Sequence, residues 1–156
     1  FRNNPTSLNL GNFIDEIIDE VYDSWNKSHK ISLIDIEKLE NDSILIDEKL
    51  GRNIFINLIS NAVKFSPQAK KVIVELSTEK NYIVISITDF GIGISKSELK
   101  NIFIPFSRGK NVDLIQGTGL GLSIAKEAIK AIKGKIIVNS NLGQGTTFIV
   151  KIPKAK

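Results

Sequence analysis

The stretch Asn57-Leu58-Ile59-Ser60-Asn61-Ala62-Val63-Lys64-Phe65 combines an apolar and a polar pattern with the same helical period. Asn57, Asn61 and Lys64 are spaced by four and three residues, which places them on one face of a helix. Leu58 and Ile59 fall on the other face, toward a core. Amide oxygens are hard ligands suited to Mg²⁺, and a lysine one turn away supplies charge for phosphate. The stretch predicts either a phosphate-binding helix face or a structural helix whose polar face happens to hold amides.

Three further motifs follow in a fixed order: Asp89-Phe90-Gly91-Ile92-Gly93-Ile94, Phe103-Ile104-Pro105-Phe106 and Gly117-Thr118-Gly119-Leu120-Gly121-Leu122. Asp89 follows a predicted strand, where its carboxylate can accept a hydrogen bond from an exocyclic amine such as that of adenine. Gly91 and Gly93 would let a planar base approach the backbone closely. Asp and Gly are also ordinary turn residues, so a plain turn is the alternative.

The glycine motif at 117–122 leads into a predicted helix, whose first N–H groups can bind phosphate. It is not a dinucleotide fingerprint, because no apolar strand precedes it and no acidic residue follows about twenty positions later. It also lacks the Gly-Lys-Ser/Thr ending of a P-loop. The motif predicts a phosphate-binding loop or, alternatively, a glycine-hinged loop without a ligand.

Hydrophobic periodicity predicts one layered α+β domain with an antiparallel-rich sheet. Helices are expected over 8–26, from an N-cap at Asp47 to about Phe65, after a capping box at Ser95 and Glu98, and over 118–132. The expected strands are 31–36, 43–46, 71–77, 82–88, 135–140 and 146–152. Strands 31–36 and 43–46 are predicted to pair across a turn at 41–42.

Composition limits the class of protein further. The 156 residues suit a single domain, 1–156, and the chain holds no cysteine and one histidine, which excludes disulfides and imidazole-rich zinc sites. The 21 basic and 17 acidic residues are scattered, so no nucleic-acid surface is expected. No apolar run reaches the roughly 20 residues of a membrane span and no signal peptide opens the chain. We expect a cytoplasmic, monomeric domain without direct membrane contact. Because the chain begins at Phe1 and lacks methionine, we interpret it as a piece of a longer protein.

Taken in order, these motifs resemble those of the catalytic, ATP-binding domain of sensor histidine kinases, in the superfamily shared with type II topoisomerases, Hsp90 chaperones and mismatch-repair ATPases. The helix at 57–65 resembles the N box, 89–94 the first glycine box, 103–106 the F box and 117–122 the second glycine box. Residues 143–148 resemble the closing glycine motif. The resemblance begins near Leu8 and implies the Bergerat fold, a two-layer α/β sandwich with a mixed, mostly antiparallel sheet covered on one face by three helices.

The resemblance also implies roles for individual residues. Asn61 corresponds to a Mg²⁺ ligand, Asn57 to a second contact with metal or phosphate, Lys64 to a phosphate contact, Phe65 to the aromatic beside the base and Asp89 to the adenine reader. The other implied nucleotide-binding positions are Gly91, Gly93, Ile94, Phe106, Lys110, Gln116, Gly117, Thr118, Gly119, Leu120, Gly121, Leu122 and Thr146. Thr146 is expected to act through water.

The polar stretch 107–116 corresponds to the ATP lid, in which Arg108 suits the γ-phosphate because its planar fork matches phosphate oxygens. In this family the phosphoacceptor histidine lies on a separate dimerising helical hairpin, before this domain. The single histidine here, His29, lies between a predicted helix and strand and is expected to be an exposed loop residue. The resemblance thus implies that the chain binds ATP and Mg²⁺ and donates the γ-phosphoryl group to its own dimerisation domain, which passes it to a response regulator receiver domain.

The same motifs leave two alternative functions. An ATP-driven conformational ATPase of the same superfamily would be expected to carry a basic glutamate on the asparagine helix. The matching turn here offers Asn57, and Glu48 lies far upstream, which argues against hydrolysis. A non-catalytic nucleotide-binding module is the other alternative, and the intact Asn61, Asp89 and glycine boxes argue against it.

Overall fold

The computed structural model describes residues 2–36, 38–39, 42–105 and 121–154. Its helices are α1 (Leu10–Ser24), α2 (Glu48–Lys64), α3 (Lys96–Leu99) and α4 (Gly121–Ala131). Its strands are β1 (Thr6–Asn9), β2 (Lys30–Asp35), β3 (Ser43–Ile46), β4 (Lys71–Glu79), β5 (Tyr82–Asp89), β6 (Lys135–Asn141) and β7 (Gly145–Pro153).

The strands form two sheets. Five of them lie in the order β2-β4-β5-β7-β6, in which β2 and β4 are parallel and every other pair is antiparallel. The other sheet is the antiparallel pair β1-β3. This arrangement confirms the predicted α+β sandwich with a mixed, mostly antiparallel sheet.

The three longer helices cover one face of the larger sheet. On β4, Val72, Val74 and Leu76 are fully buried toward the helices, whereas the alternate residue Glu75 is only half-buried. The period of two along each strand therefore separates the core face from the outer face. Within the described residues no helix is both long and apolar enough to cross a membrane.

Side chains at the helix starts fix where α1 and α2 begin. Asn9 Oδ1 accepts from the Asn12 N–H at 2.9 Å, and Asp47 Oδ1 accepts from the Leu50 N–H at 3.0 Å. The other Asp47 oxygen accepts from the backbone N–H of Asn4 at 2.8 Å. These N–H groups hold the pKa of Asp47 below its ordinary value of 3.8, Leu50 contributing most. The prediction of Asp47 as the N-cap of α2 is confirmed.

Two strand predictions were wrong. Strand β3 does not pair with β2 but with β1, whose last two residues fall in the stretch 8–26 that the sequence predicts as the first helix. Strand β2 pairs instead with β4, Lys30 opposite Lys71, because the intervening α2 provides the crossover that a parallel pair needs. The Ser95 half of the predicted capping box is absent, since the Ser95 side chain makes no cap hydrogen bond and its Oγ lies 3.2 Å from Ser97 Oγ.

Candidate functional site

One face of α2 carries the polar residues that the sequence singled out. Asn57, Asn61 and Lys64 are half-buried, whereas Leu58 and Ile59 on the opposite face are fully buried in the core. The Lys64 ammonium lies 5.2 Å from the centroid of the Phe65 ring, at the C-terminal end of the helix. The predicted division of α2 into a core face and an amide-bearing face is confirmed.

Asn57 lies between α2 and the start of α4. Its Nδ2 donates to the carbonyl of Asn53, one turn earlier. Its Oδ1 lies 3.0 Å from the position that a Cβ atom would occupy on Gly121, the first residue of α4. Gly121 therefore allows the end of the second glycine box to approach α2 closely.

The first glycine box packs against the end of α2. The Phe65 carbonyl accepts a hydrogen bond of 3.0 Å from the Ile92 N–H, and a Cβ atom on Gly91 would overlap the same carbonyl. Gly93 has a φ of +71°, and a Cβ atom there would overlap the carbonyl of Asn141. The sequence predicted that these glycines make room for a planar base. In the structure the Cβ positions of both glycines fall on this chain's own backbone, so the glycines allow the loop after β5 to pack against the end of α2 and against β6.

Asp89 is a buried carboxyl group at the end of β5. The residue is only 4% exposed, and its Oδ1 accepts from the Gly91 N–H at 2.9 Å. Burial raises the pKa of Asp89 from 3.8 to about 6, while the backbone N–H groups of Gly91 and Thr146 lower it. With a pKa of about 6, this carboxyl group is ionised at neutral pH and can only accept hydrogen bonds.

Ser140 connects the first glycine box to the closing glycine motif. Its Oγ accepts from the Ile94 N–H at 2.8 Å, donates to the Gly145 carbonyl at 2.9 Å and lies 2.8 Å from Thr146 Oγ1. Gly145 has a φ of +117°, and a Cβ atom there would overlap the carbonyl of Asp89. Sequence reasoning missed Ser140, whose only signal was its place in the strand before the Gly-x-Gly-Thr turn.

The described part of the F box has one residue, Phe103, packed against the core and two exposed residues. The Phe103 ring packs edge to face on Phe148 with centroids 6.4 Å apart, and Lys126 Nζ lies 4.8 Å from the Phe103 centroid. Ile104 is exposed. Leu122 in α4 is partly buried against the core. The predicted site residues that lie outside the described part of the chain are Phe106, Arg108, Lys110, Gln116, Gly117, Thr118, Gly119 and Leu120.

His29 contradicts its predicted exposure, since its side chain is only 6% exposed. The ring Nε2 lies 2.8 Å from the Ser66 carbonyl, and Nδ1 lies 2.7 Å from Ser28 Oγ. Because a carbonyl only accepts, Nε2 is the nitrogen that carries the proton. Ser66 follows Phe65 directly, so this contact with His29 stabilises the segment immediately after α2. The chain turns just before His29 at Asn26 and Lys27, both of which lie in the left-handed backbone region.

Comparison with known proteins agrees with this geometry. Residues 46–156 match the family model of histidine kinase-, DNA gyrase B- and HSP90-like ATPases. The adaptive-response sensory kinase SasA of Prochlorococcus marinus is 33% identical over 152 residues, which cover 96% of this chain and 41% of the relative. The sensor histidine kinase GraS of Staphylococcus haemolyticus is 30% identical over 140 residues, covering 88% of this chain and 40% of GraS. The chain thus spans about two fifths of the length of these curated relatives.

Solved structures show the same fold. The nucleotide-free catalytic domain of histidine kinase ThkA superposes with a TM-score of 0.81 at 26% identity, covering 97% of this chain and 96% of that one. Full-length ShkA in complex with AMPPNP gives a TM-score of 0.85 at 25% identity, covering all of this chain and 32% of ShkA. The chain therefore belongs to the histidine kinase-, DNA gyrase B- and HSP90-like ATPases, and within that family it is an ATP-binding catalytic domain of the sensor histidine kinase type.

Proposed function

We propose that this domain binds ATP with the adenine at Asp89 and the phosphates along the amide face of α2, and that it donates the γ-phosphoryl group to a histidine outside residues 1–156. The observation that carries the proposal is the buried carboxyl group of Asp89, which accepts hydrogen bonds from backbone N–H groups. The loop that follows it packs on the end of α2 through Gly91 and Ile92. The shared hydrophobic core of α1, α2, α4 and the larger sheet supports treating residues 1–156 as one domain.

The chemistry of Asp89 suits adenine. An ionised carboxylate only accepts hydrogen bonds, and the adenine 6-amino group is a donor, whereas guanine carries an acceptor oxygen at the same ring position. Since Asp89 is buried, an unpaired acceptor facing it would cost far more than it does in water. Phe65, which the Ile92 hydrogen bond fixes beside this loop, is proposed to pack on the base.

The amide face of α2 suits the phosphate end of the nucleotide. Mg²⁺ usually keeps several waters and takes one or two protein oxygens plus phosphate oxygens, so one amide such as Asn61 fits as its protein ligand. Throughout the described ranges, no group of three or more His, Cys, Asp or Glu residues could hold a metal. We therefore propose that phosphate oxygens of the nucleotide supply part of the coordination of Mg²⁺. When bound, Mg²⁺ would neutralise charge on the phosphates during transfer. Lys64, next to Asn61 on the same face, is proposed to add a positive charge there.

Transfer is favoured over hydrolysis by the side chains of α2. Glu48 in the first turn is the only carboxylate on this helix, and Asn57 stands where a water-activating glutamate is expected in the hydrolytic relatives. His29 is also unsuited as an acceptor, because it is buried and both ring nitrogens are engaged. We therefore propose that the acceptor is a histidine on a dimerisation hairpin and that a response regulator receiver domain takes the phosphoryl group next. Arg108 and Lys110 are proposed to contact the phosphates in this transfer.

The proposal is tested by titrating ATP and GTP into the wild type and into Asp89→Asn by calorimetry. We expect the wild type to prefer ATP, and the variant to lose affinity for ATP by about tenfold or more, because a hydrogen bond to a charged group is worth roughly 1.5–3 kcal/mol. Asp23→Asn, an exposed change on α1, is the matched control and should bind like the wild type. Equal affinity of the wild type and Asp89→Asn for ATP would overturn the assignment.

A further inference from the structure

We propose that Ser140 fixes the direction of the Thr146 hydroxyl group, so that Thr146 presents only acceptor lone pairs to the base and Ser140 is a positioning residue for adenine specificity. This inference rests on the proposed binding of adenine at Asp89. It concerns a serine to which neither the motifs nor the comparisons give a role.

The hydrogen bonds of Ser140 admit one complete assignment. A serine hydroxyl has one proton to donate and two lone pairs that accept. The Ile94 N–H, 2.8 Å away, can only donate, and the Gly145 carbonyl, 2.9 Å away, can only accept. The proton of Ser140 is therefore directed to Gly145. The remaining contact, 2.8 Å from Thr146 Oγ1, must then be a hydrogen bond that Thr146 donates to Ser140.

This assignment decides what Thr146 can offer to a ligand. Its only hydroxyl proton is used within the protein, so Thr146 Oγ1 is left as an acceptor. Thr146 is also buried, so turning its hydroxyl proton away from Ser140 to a direction without an acceptor would be costly. The opposite arrangement, in which Ser140 donates to Thr146, would leave the Gly145 carbonyl without its bond from Ser140.

The acceptor of Thr146 lies beside that of Asp89. The two residues are directly opposite each other in the register of β5 and β7, and the Thr146 N–H donates to the Asp89 carboxylate. Together they form a surface that accepts hydrogen bonds and offers no side-chain proton. An exocyclic amine, bound directly or through a water, satisfies such a surface. The carbonyl oxygen of guanine does not, so the hydroxyl direction that Ser140 imposes adds to discrimination against guanine.

Ser140 also fastens three segments of chain, so a test must separate specificity from stability. The strand β6 supplies Ser140, the loop after β5 supplies Ile94, and the start of β7 supplies Gly145 and Thr146. Removing the hydroxyl group lowers the melting temperature whether or not the base is read. The ratio of the dissociation constants for GTP and ATP is the readout that a purely structural role leaves unchanged.

We therefore measure that ratio by calorimetry for the wild type, Ser140→Ala and Ser140→Thr. With the alanine, the Thr146 proton is free to turn toward the base, and we expect the ratio to fall about fivefold, the typical worth of one hydrogen bond. Ser140→Thr keeps the hydroxyl and should restore the ratio. Thr88→Ala is the control, because it breaks a similar hydroxyl pair, Thr88 and Thr147 at 3.0 Å, on the outer face of the sheet.

A second variant shows whether Ser140 acts through Thr146. Thr146→Val should lower the ratio by itself, and adding Ser140→Ala to it should change the ratio no further. An unchanged ratio in a folded Ser140→Ala, or an undiminished effect of this change in the Thr146→Val background, would overturn the inference. If Ser140→Ala does not fold, Thr146→Val decides alone, and an unchanged ratio contradicts the proposal. A wild type that binds GTP as tightly as ATP would instead overturn the proposed adenine site itself.

Discussion

Replacing Asp89 with asparagine should make the domain more stable as the pH rises, relative to the wild type. The pKa of Asp89 is raised from 3.8 to about 6, mainly because its carboxyl group is buried. A carboxyl group with a raised pKa in the folded state stabilises the fold fully below pH 3.8 and loses that contribution as the pH rises through about 6. Since one pKa unit corresponds to roughly 1.4 kcal/mol, the wild type loses about 3 kcal/mol over this range.

The assay is urea unfolding of the wild type and Asp89→Asn at a series of pH values. Asparagine does not titrate, and its different hydrogen bonds to Gly91 and Thr146 add only a constant offset. The difference in unfolding free energy between the two proteins should therefore change by about 2 kcal/mol or more from about pH 4 to about pH 7, in favour of the variant. Most of the change should occur between about pH 4 and about pH 6, that is, between the pKa of the unfolded state and that of the folded state.

A control with the opposite sign is available in Asp47→Asn. The pKa of Asp47 is lowered by the N–H groups of Leu50 and Asn4, so its stabilisation is present above pH 3.8 and is lost as the pH falls further. Comparison of Asp47→Asn with the wild type should show no change between about pH 5 and 7, where Asp47 stays ionised in both states. A difference between wild type and Asp89→Asn that stays flat with pH would refute the reasoning, because burial then would not disfavour the charge of Asp89.

Four further changes test other parts of the site. Gly91→Ala should destabilise the fold by about 2–4 kcal/mol in urea unfolding, since its Cβ would overlap the Phe65 carbonyl. The control Gly143→Ala meets open space and should cost only about 1–2 kcal/mol, because of its positive φ. Equal losses of stability in the two variants would contradict the packing argument. His29→Ala should lower stability by about 1–3 kcal/mol by leaving a buried carbonyl unpaired, and an unchanged melting curve would argue against that hydrogen bond. Asn61→Ala should reduce transfer from γ-labelled ATP to an added acceptor hairpin far more than it reduces binding of a fluorescent nucleotide, because Mg²⁺ acts mainly in transfer; equal losses would remove Asn61 as the metal ligand. Arg108→Ala should impair transfer and leave ADP affinity unchanged, and hydrogen exchange over 107–117 that does not slow with ATP would contradict a lid in this segment.

The parts of the fold that were predicted from sequence are those with a long, regular pattern. Helix α2 shows its apolar period over 17 residues and begins after an N-cap at Asp47. Its buried face and its first residue could therefore both be predicted. Strand β1 has a single large apolar residue, Leu8, among four, which is too little to mark a strand. In β2 and β3 apolar and polar residues alternate in the same way, and this alternation does not show which strand pairs with which. Their closeness in the chain therefore suggested a pairing that is wrong.

The site residues follow the same rule. Asp89 is a candidate from sequence because it stands in a motif, and its role stays a prediction. The hydrogen bond from Ser140 to Gly145 depends on the register of β6 and β7, which sequence does not specify. His29 was misjudged because it stands among polar residues, 26–30, that read as a surface loop. Two residues before it have a left-handed backbone conformation, and only the three-dimensional structure shows that its ring contacts the Ser66 carbonyl.

The Asp47 carboxylate has a consequence for anyone who shortens this protein. The family match starts at residue 46, and that boundary suggests cutting there. Such a cut would remove Asn4, whose N–H donates a hydrogen bond to the Asp47 carboxylate that also caps α2. It would also remove α1, whose Phe13 ring packs on Phe55 with centroids 6.4 Å apart. It would also take away β2 and leave β4 as an open sheet edge, which favours aggregation. A fragment intended for binding measurements should therefore start before Asn4, even though the residues proposed to bind nucleotide lie far later in the chain.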